Sequence, residues 1–170
     1  VMIIIMILVG LTQGMQPIVG YNFGAKRIAR VKETLNYTIK VGIIIGAVGM
    51  LIGVFLPSII VKPFNPSPAL AEETAKALRI ITLMLPLVGF QIVVTNFFQS
   101  IGMAKKSIFL SLTRQFFMLL PALLILPHFF QLDGVWYSLP TADFLATVLT
   151  LIMFLLQIRT FKKLEATETL

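Results

Sequence analysis

The 170-residue chain has no cysteine and a single histidine, and these two shortages remove much of protein chemistry at the outset. Without cysteine there is no disulfide framework, no iron–sulfur site and no thiolate metal ligand. With His128 alone there is no His-based metal site and no HExxH chemistry. No glycine-rich nucleotide loop of the P-loop type occurs, so ATP-driven pumping is excluded unless a partner supplies it. Charge is scarce too: 12% of residues are charged against 58% hydrophobic. With no nucleophile–base pair and no metal ligands, the chain is not expected to be an enzyme or to hold a cofactor.

Long apolar runs take the place of these features. Residues 1–25, 41–61, 80–104 and 115–127 carry no charged side chain, and 134–158 carries only Asp143. At about 1.5 Å rise per residue, ~20 apolar residues cross a hydrocarbon layer of ~30 Å. Helices of a soluble domain must each keep a polar face, so a chain of this length could not repeat such runs five times. The expected fold class is an all-α polytopic membrane protein with spans at about 1–23, 36–61, 79–103, 108–127 and 134–158. No basic region precedes residues 1–25, and Gln13, Gln16, Pro17 and Asn22 interrupt them, so they do not read as a signal peptide. Opening on Val1 inside an apolar run implies that the beginning of the chain is missing.

The net charge of +7 sits in clusters between the spans, which is a topology signal and not a nucleic-acid footprint. Alternate linkers and the tail carry eleven basic residues: Lys26, Arg27, Arg30, Lys32, Lys40, Lys105, Lys106, Arg114, Arg159, Lys162 and Lys163. The opposite side carries three, Lys62, Lys76 and Arg79. The basic side faces the cytoplasm. Val1 is therefore expected outside and the 164–170 tail, expected to fray, inside. Gly24 is the expected left-handed end of the first helix. Ile28, Val31, Leu35 and Ile39 make 26–40 an amphipathic lead-in lying at the inner surface. Asn65-Pro66-Ser67-Pro68 breaks the chain outside, with Ser67 as a cap and Pro68 opening a helix. Trp136 and Tyr137 are placed at the outer interface.

Every span carries a proline: Pro17, Pro57, Pro86, Pro121 and Pro140. Each deletes a backbone hydrogen bond, and the freed carbonyl needs a partner or a wet cavity. One reading is packing angles alone; the other is a bundle that bends or lines a cavity. Gly42, Gly46, Gly49 and Gly53 share one face and allow a close helix approach.

The intramembrane polar residues carry the functional reading. Asp143 lies nine residues past Gly134, about 14 Å into the bilayer. An ionised carboxylate there must face a cavity or a partner; it is either a functional acid or a hydrogen-bonding link between helices. Thr147 and Thr150 continue its face. Gln91, Thr95, Asn96 and Gln99 share one arc of the third span, with Gln91 about 16 Å deep. Thr12, Gln13 and Gln16 stand beside Pro17. Amides at one depth in several helices suggest a shared polar lining, although such groups more often cement helices. Phe90, Phe97, Phe98, Phe116 and Phe117 offer ring faces to a cationic guest or, more simply, packing surface. Arg114 reads as snorkelling to the inner headgroups.

The run Gln16-Pro17-Ile18-Val19-Gly20-Tyr21-Asn22-Phe23-Gly24-Ala25 before a basic stretch resembles the multidrug and toxic compound extrusion (MATE) family. So do Pro86-Leu87-Val88-Gly89-Phe90-Gln91, Asn96-Phe97-Phe98-Gln99-Ser100-Ile101-Gly102 with Lys105-Lys106, and Leu132-Asp133-Gly134-Val135-Trp136 with Pro140-Thr141-Ala142-Asp143. The resemblance implies the last five helices of a twelve-helix transporter, a C-terminal lobe whose N-terminal lobe is its missing partner. It implies export of small cationic or amphipathic drugs across a bacterial inner (plasma) membrane, by antiport against protons or sodium ions. A substrate and ion pathway through Asp143, Gln91, Asn96, Gln13, Gln16 and Thr147 is then expected. Some branches of that family carry an acid in the helix that here holds Gln91 and Asn96; this chain has none there. Alternatives are a lipid or polysaccharide flippase of the same superfamily, or a non-catalytic helical partner.

Overall fold

The computed structural model describes residues 1–64 and 66–168, with side chains described through Lys162. All regular structure among the described residues is helical. Helix α1 is Met2–Gly24, α2 is Ile28–Phe55 and α3 is the short Pro57–Val61. Then come α4 at Pro68–Thr82, α5 at Leu85–Ser100, α6 at Ala104–Leu112, a π-helical segment Thr113–Leu119, and α7 at Leu120–Glu168.

Three helical runs are long and apolar enough to cross a membrane: Met2–Gly24, Ile28–Phe55 and Ala104–Lys162. The pair α4 and α5, bent by 46°, makes a fourth if taken as one span. The third run is no single rod. Gln131 leaves the helical region at φ 52°, ψ −129°, and the Ser138 hydroxyl donates to the Ala122 carbonyl at 3.0 Å. In a straight helix those residues would stand about 24 Å apart. The run is a hairpin whose outgoing limb ends at residue 130 and whose return limb starts at 132.

Proline sets two of the breaks. Pro57 and Pro86 each stand at the first or second position of a new helix, where their missing N–H costs nothing. Neither is an interior kink. The expected third span is thus two helices, because Pro86 cannot donate to the Thr82 carbonyl and α4 stops there. Pro17 and Pro140 do lie inside helices.

Close approach of backbones holds the centre together. Gly42, Gly46, Gly49 and Gly53 are all buried on α2. A methyl on Gly46 would collide with the Leu85 backbone, one on Gly89 with the Gly42 carbonyl, and one on Gly53 with the Thr82 side chain. Lipid supplies no hydrophobic drive between helices, so such small-residue contacts are what favour their association. A cluster of Met15, Val19, Val31, Leu35, Val93, Val94, Phe97, Phe98 and Phe161 fills one end of the bundle. Phe161 stands edge-on to Phe97 at 6.1 Å between ring centres.

The lead-in is not a surface helix. Residues 28–40 are continuous with the rest of α2, and Ile28, Val31 and Leu35 are buried against that cluster. Their periodicity reflects a face turned to protein, not to headgroups. The left-handed residue after α1 is Lys26 (φ 57°), not Gly24. Its N–H donates to Phe23 and that of Arg27 to Asn22, the paired bonds of a Schellman ending. Ser67 does precede α4, with Pro68 opening it, but its side chain makes no capping bond. Asn65 lies outside the described residues. Trp136 turns its indole Nε1 inward, where no described residue accepts from it. Helix α7 continues to Glu168, so most of the tail expected to fray is helical; 169–170 lie outside the described residues.

Only 22–28% of the most apolar window of each membrane-length run is buried within the chain. Ile44, Leu51, Leu124 and Ile152 point outward. Such faces need lipid or another protein surface.

Candidate functional site

The hairpin builds the site. Gly134 has no side chain because the Leu126 backbone occupies that space, and the Ser138 hydroxyl reaches both the Gly134 and Ala122 carbonyls. These contacts pair residues symmetric about position 130. In that register Asp143 faces position 117, with Arg114 about one turn earlier on the outgoing limb, farther from the hairpin tip. The long arginine side chain covers the difference: Arg114 Nε donates to Asp143 Oδ1 at 2.8 Å. Arg114 therefore does not snorkel; it pairs with a carboxylate inside the bundle. The snorkelling expectation failed because it treated the fourth span as isolated, whereas the antiparallel return limb brings an acid within reach.

Local backbone geometry assists. Arg114 sits in the π-helical segment, where the Leu120 N–H bonds the Gln115 carbonyl five residues back. Pro121 follows immediately and can donate no bond of either register. Wide turns of this kind are frequent at functional sites.

A second set of bonds fixes the other side of Asp143. Thr147 Oγ1 donates to the Asp143 carbonyl at 2.7 Å. Gln91 Nε2 donates to that carbonyl at 2.6 Å and also to Thr147 Oγ1. Gln91 is buried on α5, so one amide ties α5 to the return limb at the residue carrying the acid. Further along α5, Asn96 Oδ1 accepts from Gln16 Nε2 of α1 at 3.1 Å, while Asn96 Nδ2 donates to the Ile92 carbonyl.

Between these groups lies a cavity of about 270 Å³, lined by Ile5 and Val9 of α1, by Gln91, Ile92, Thr95 and Asn96 of α5, and by Leu110, Ser111, Arg114, Gln115 and Thr150 of the hairpin. No acid lines it. The Asp143 side chain is 10% exposed and that of Arg114 32%; Arg114 is on the cavity lining and Asp143 is not.

The structure thus brings Asp143, Gln91 and Thr147 into one bonded group and places Asn96 and Gln16 as a neighbouring pair. Gln13 is exposed on α1 and is not part of either set. Phe90, Phe97 and Phe98 are buried in packing, and Phe116 and Phe117 face outward. Two further polar links lie away from the cavity. Lys76 of α4 pairs with Asp133 at the hairpin tip at 2.6 Å. Lys106 Nζ donates to Gln157 Oε1 at 2.9 Å and stands 5.3 Å from the centre of the Phe98 ring. Among the described residues no cluster of His, Asp or Glu could hold a metal ion.

Comparison with known proteins bears on what such a bundle belongs to. The MatE family model matches residues 1–124. A multidrug export protein MepA of Staphylococcus haemolyticus is 28% identical over 138 residues, covering 81% of this chain and 30% of that protein. Among solved structures, an outward-facing multidrug resistance MATE family transporter of the MOP superfamily superposes with a TM-score of 0.85 at 24% identity, over 95% of this chain and 37% of that one. An inward-facing conformation of a MATE family transporter of the same superfamily gives 0.84 at 23% identity, over 95% and 38%. The chain spans about a third of the length of the relatives it matches.

Proposed function

Because the chain belongs to the multidrug and toxic compound extrusion (MATE) family, a family of transporters and not of enzymes, we propose that it forms most of one lobe of a secondary active multidrug efflux antiporter. The observation that carries this reading is the Arg114–Asp143 pair beside a polar cavity, inside a bundle whose outer faces are apolar. Charged groups within membrane helices face cavities or one another and mark transport pathways. Here Gln91 and Thr147 bond the backbone carbonyl of Asp143, and Arg114 borders the space a guest would occupy.

In this reading the five limbs cross the membrane with Val1 outside and the 164–170 tail in the cytoplasm of a bacterial cell. A second lobe completes the cavity, and alternating access rocks one lobe against the other. Similar superposition on the outward-facing and inward-facing relatives supports a lobe that keeps its fold through such a motion. Cationic or amphipathic compounds leave in exchange for protons or sodium ions, with Asp143 as the coupling acid. Gln91, Asn96, Gln16, Thr147 and the outward-facing Gln13 supply neutral hydrogen bonds along the path.

The test is Asp143→Asn in the complete natural protein, which keeps the shape and removes the charge. Export of a cationic dye, normalised to the amount of transporter in the membrane, should fall at least tenfold, and Asp143→Glu should retain part of it. Undiminished export by the Asn variant across external pH values would reduce Asp143 to a link between helices.

One observation favours a second reading, a lipid or polysaccharide flippase of the same superfamily: the charge lining the cavity is a guanidinium. Movement of a fluorescent lipid between leaflets, without drug export, would select it.

A further inference from the structure

We propose that the cavity beside Arg114 binds the carboxylate of its guest, so that among cationic or amphipathic compounds those that also carry a carboxylate are held most tightly. The proposal rests on the antiporter reading and adds the chemistry of the guest.

Size comes first. A volume of about 270 Å³ falls just below the usual range for small-molecule pockets, so it accommodates one end of an amphipath and not all of it. Charge is the second argument. Arg114 is the one charged residue on the lining among the described residues, and Asp143, more buried than its partner, is not on it. A cation entering the cavity would meet the guanidinium before the carboxylate.

Hydrogen-bonding capacity supplies the third. Gln91 spends its amide on Thr147 and on the Asp143 carbonyl. Asn96 spends its amide on Ile92 and its oxygen on Gln16. Arg114 uses only Nε, so among the described residues the edge formed by its two Nη groups is unpaired. That planar edge matches a carboxylate with two parallel bonds. Asp143, bonded from the other side, holds the fork in place.

The experiment compares the free acid and the methyl ester of one fluorescent cationic amphipath. Binding is read by anisotropy on the complete natural protein in nanodiscs. The parent should prefer the acid. Arg114→Gln should lower the acid-over-ester preference about tenfold, and Arg114→Lys, which keeps the charge but not the fork, should lower it by less. Asp143→Asn removes a competing carboxylate and should raise the preference about threefold. If Arg114→Gln does not fold, the Lys and Asn variants decide the matter by the same ratio. A preference unchanged in the Arg114 variants, or lowered in Asp143→Asn, overturns the proposal. Arg114-dependent preference for the acid in a protein that exports neither compound supports this site and overturns the antiporter reading. Export of both with no Arg114-dependent preference does the reverse.

Discussion

Gly89 of α5 lies so close to Gly42 of α2 that a methyl group on Gly89 would fall on the Gly42 carbonyl. The contact is asymmetric. A methyl on Gly42 would instead meet the end of the Val93 side chain at 3.0 Å and the Gly89 carbonyl at 3.3 Å. A side-chain terminus can yield by a few tenths of an ångström, whereas a helix backbone carries its whole element with it. Gly89→Ala should therefore destabilise the bundle by roughly 1–3 kcal/mol, the range for overpacking. Gly42→Ala should cost less, because the gain in helix propensity of ~1 kcal/mol offsets part of the crowding. Thermal unfolding in detergent, followed by helical circular dichroism, ranks the two. Equal losses would mean that the helices slide apart freely.

Lys26 and Gly102 close two helices with the same pair of backbone bonds, at φ 57° and φ 77°. Only glycine takes that conformation without a penalty from its Cβ. Lys26→Gly should raise stability by about 1 kcal/mol, and Gly102→Ala should lower it by a similar amount. Nothing lies within 4 Å of the space a Gly102 methyl would fill, so backbone strain alone is read there. Unfolding midpoints of the two variants should move in opposite directions.

How far the sequence reaches is clearest from what it places and what it misses. Helicity and membrane character follow from the length of the apolar runs, since solvent dictates both. The glycine face of α2 was legible because four small residues at helical spacing have one use. Gln91 and Asp143 were legible as polar groups at a common depth and Thr147 as continuing the Asp143 face, and the three do meet. Arg114 was not, because its partner depends on the register of an antiparallel hairpin, and one span cannot reveal what its neighbour places opposite. The π-helical segment leaves no periodic signal beyond Pro121. Ile28, Val31 and Leu35 misled for a related reason: a stripe toward protein and a stripe toward headgroups have the same spacing.

The ion pair makes a prediction about stability distinct from transport. Removing one partner of a buried pair leaves the other charge uncompensated, which typically costs about 3–5 kcal/mol. Arg114→Gln alone should therefore lower stability by that order, while Arg114→Gln with Asp143→Asn should recover most of it. A double-mutant cycle on unfolding in detergent measures the coupling. Additive losses would mean that the two side chains contribute independently, and the bonds of Gln91 and Thr147 would then carry the contact alone.

The absence of cysteine makes orientation directly measurable, because any introduced thiol is the only one in these 170 residues. Lys105 opens α6 and is exposed, while Asp133 lies at the hairpin tip, paired with Lys76. Asp133 begins the return limb opposite position 127, so in the hairpin register the two positions stand about 33 Å apart along the outgoing limb. That exceeds a hydrocarbon layer of ~30 Å, so an impermeant reagent should reach only one of them in intact cells. The proposed orientation requires that one to be Asp133→Cys. The side chains of Lys76 and Asp133 are 43% and 37% exposed, so water screens the pair, its loss costs little and the variant should keep its fold. Lys105→Cys should react only after the cells are opened. Labelling of Lys105→Cys from outside, with Asp133→Cys protected, would invert the topology and place the basic linkers on the outer face.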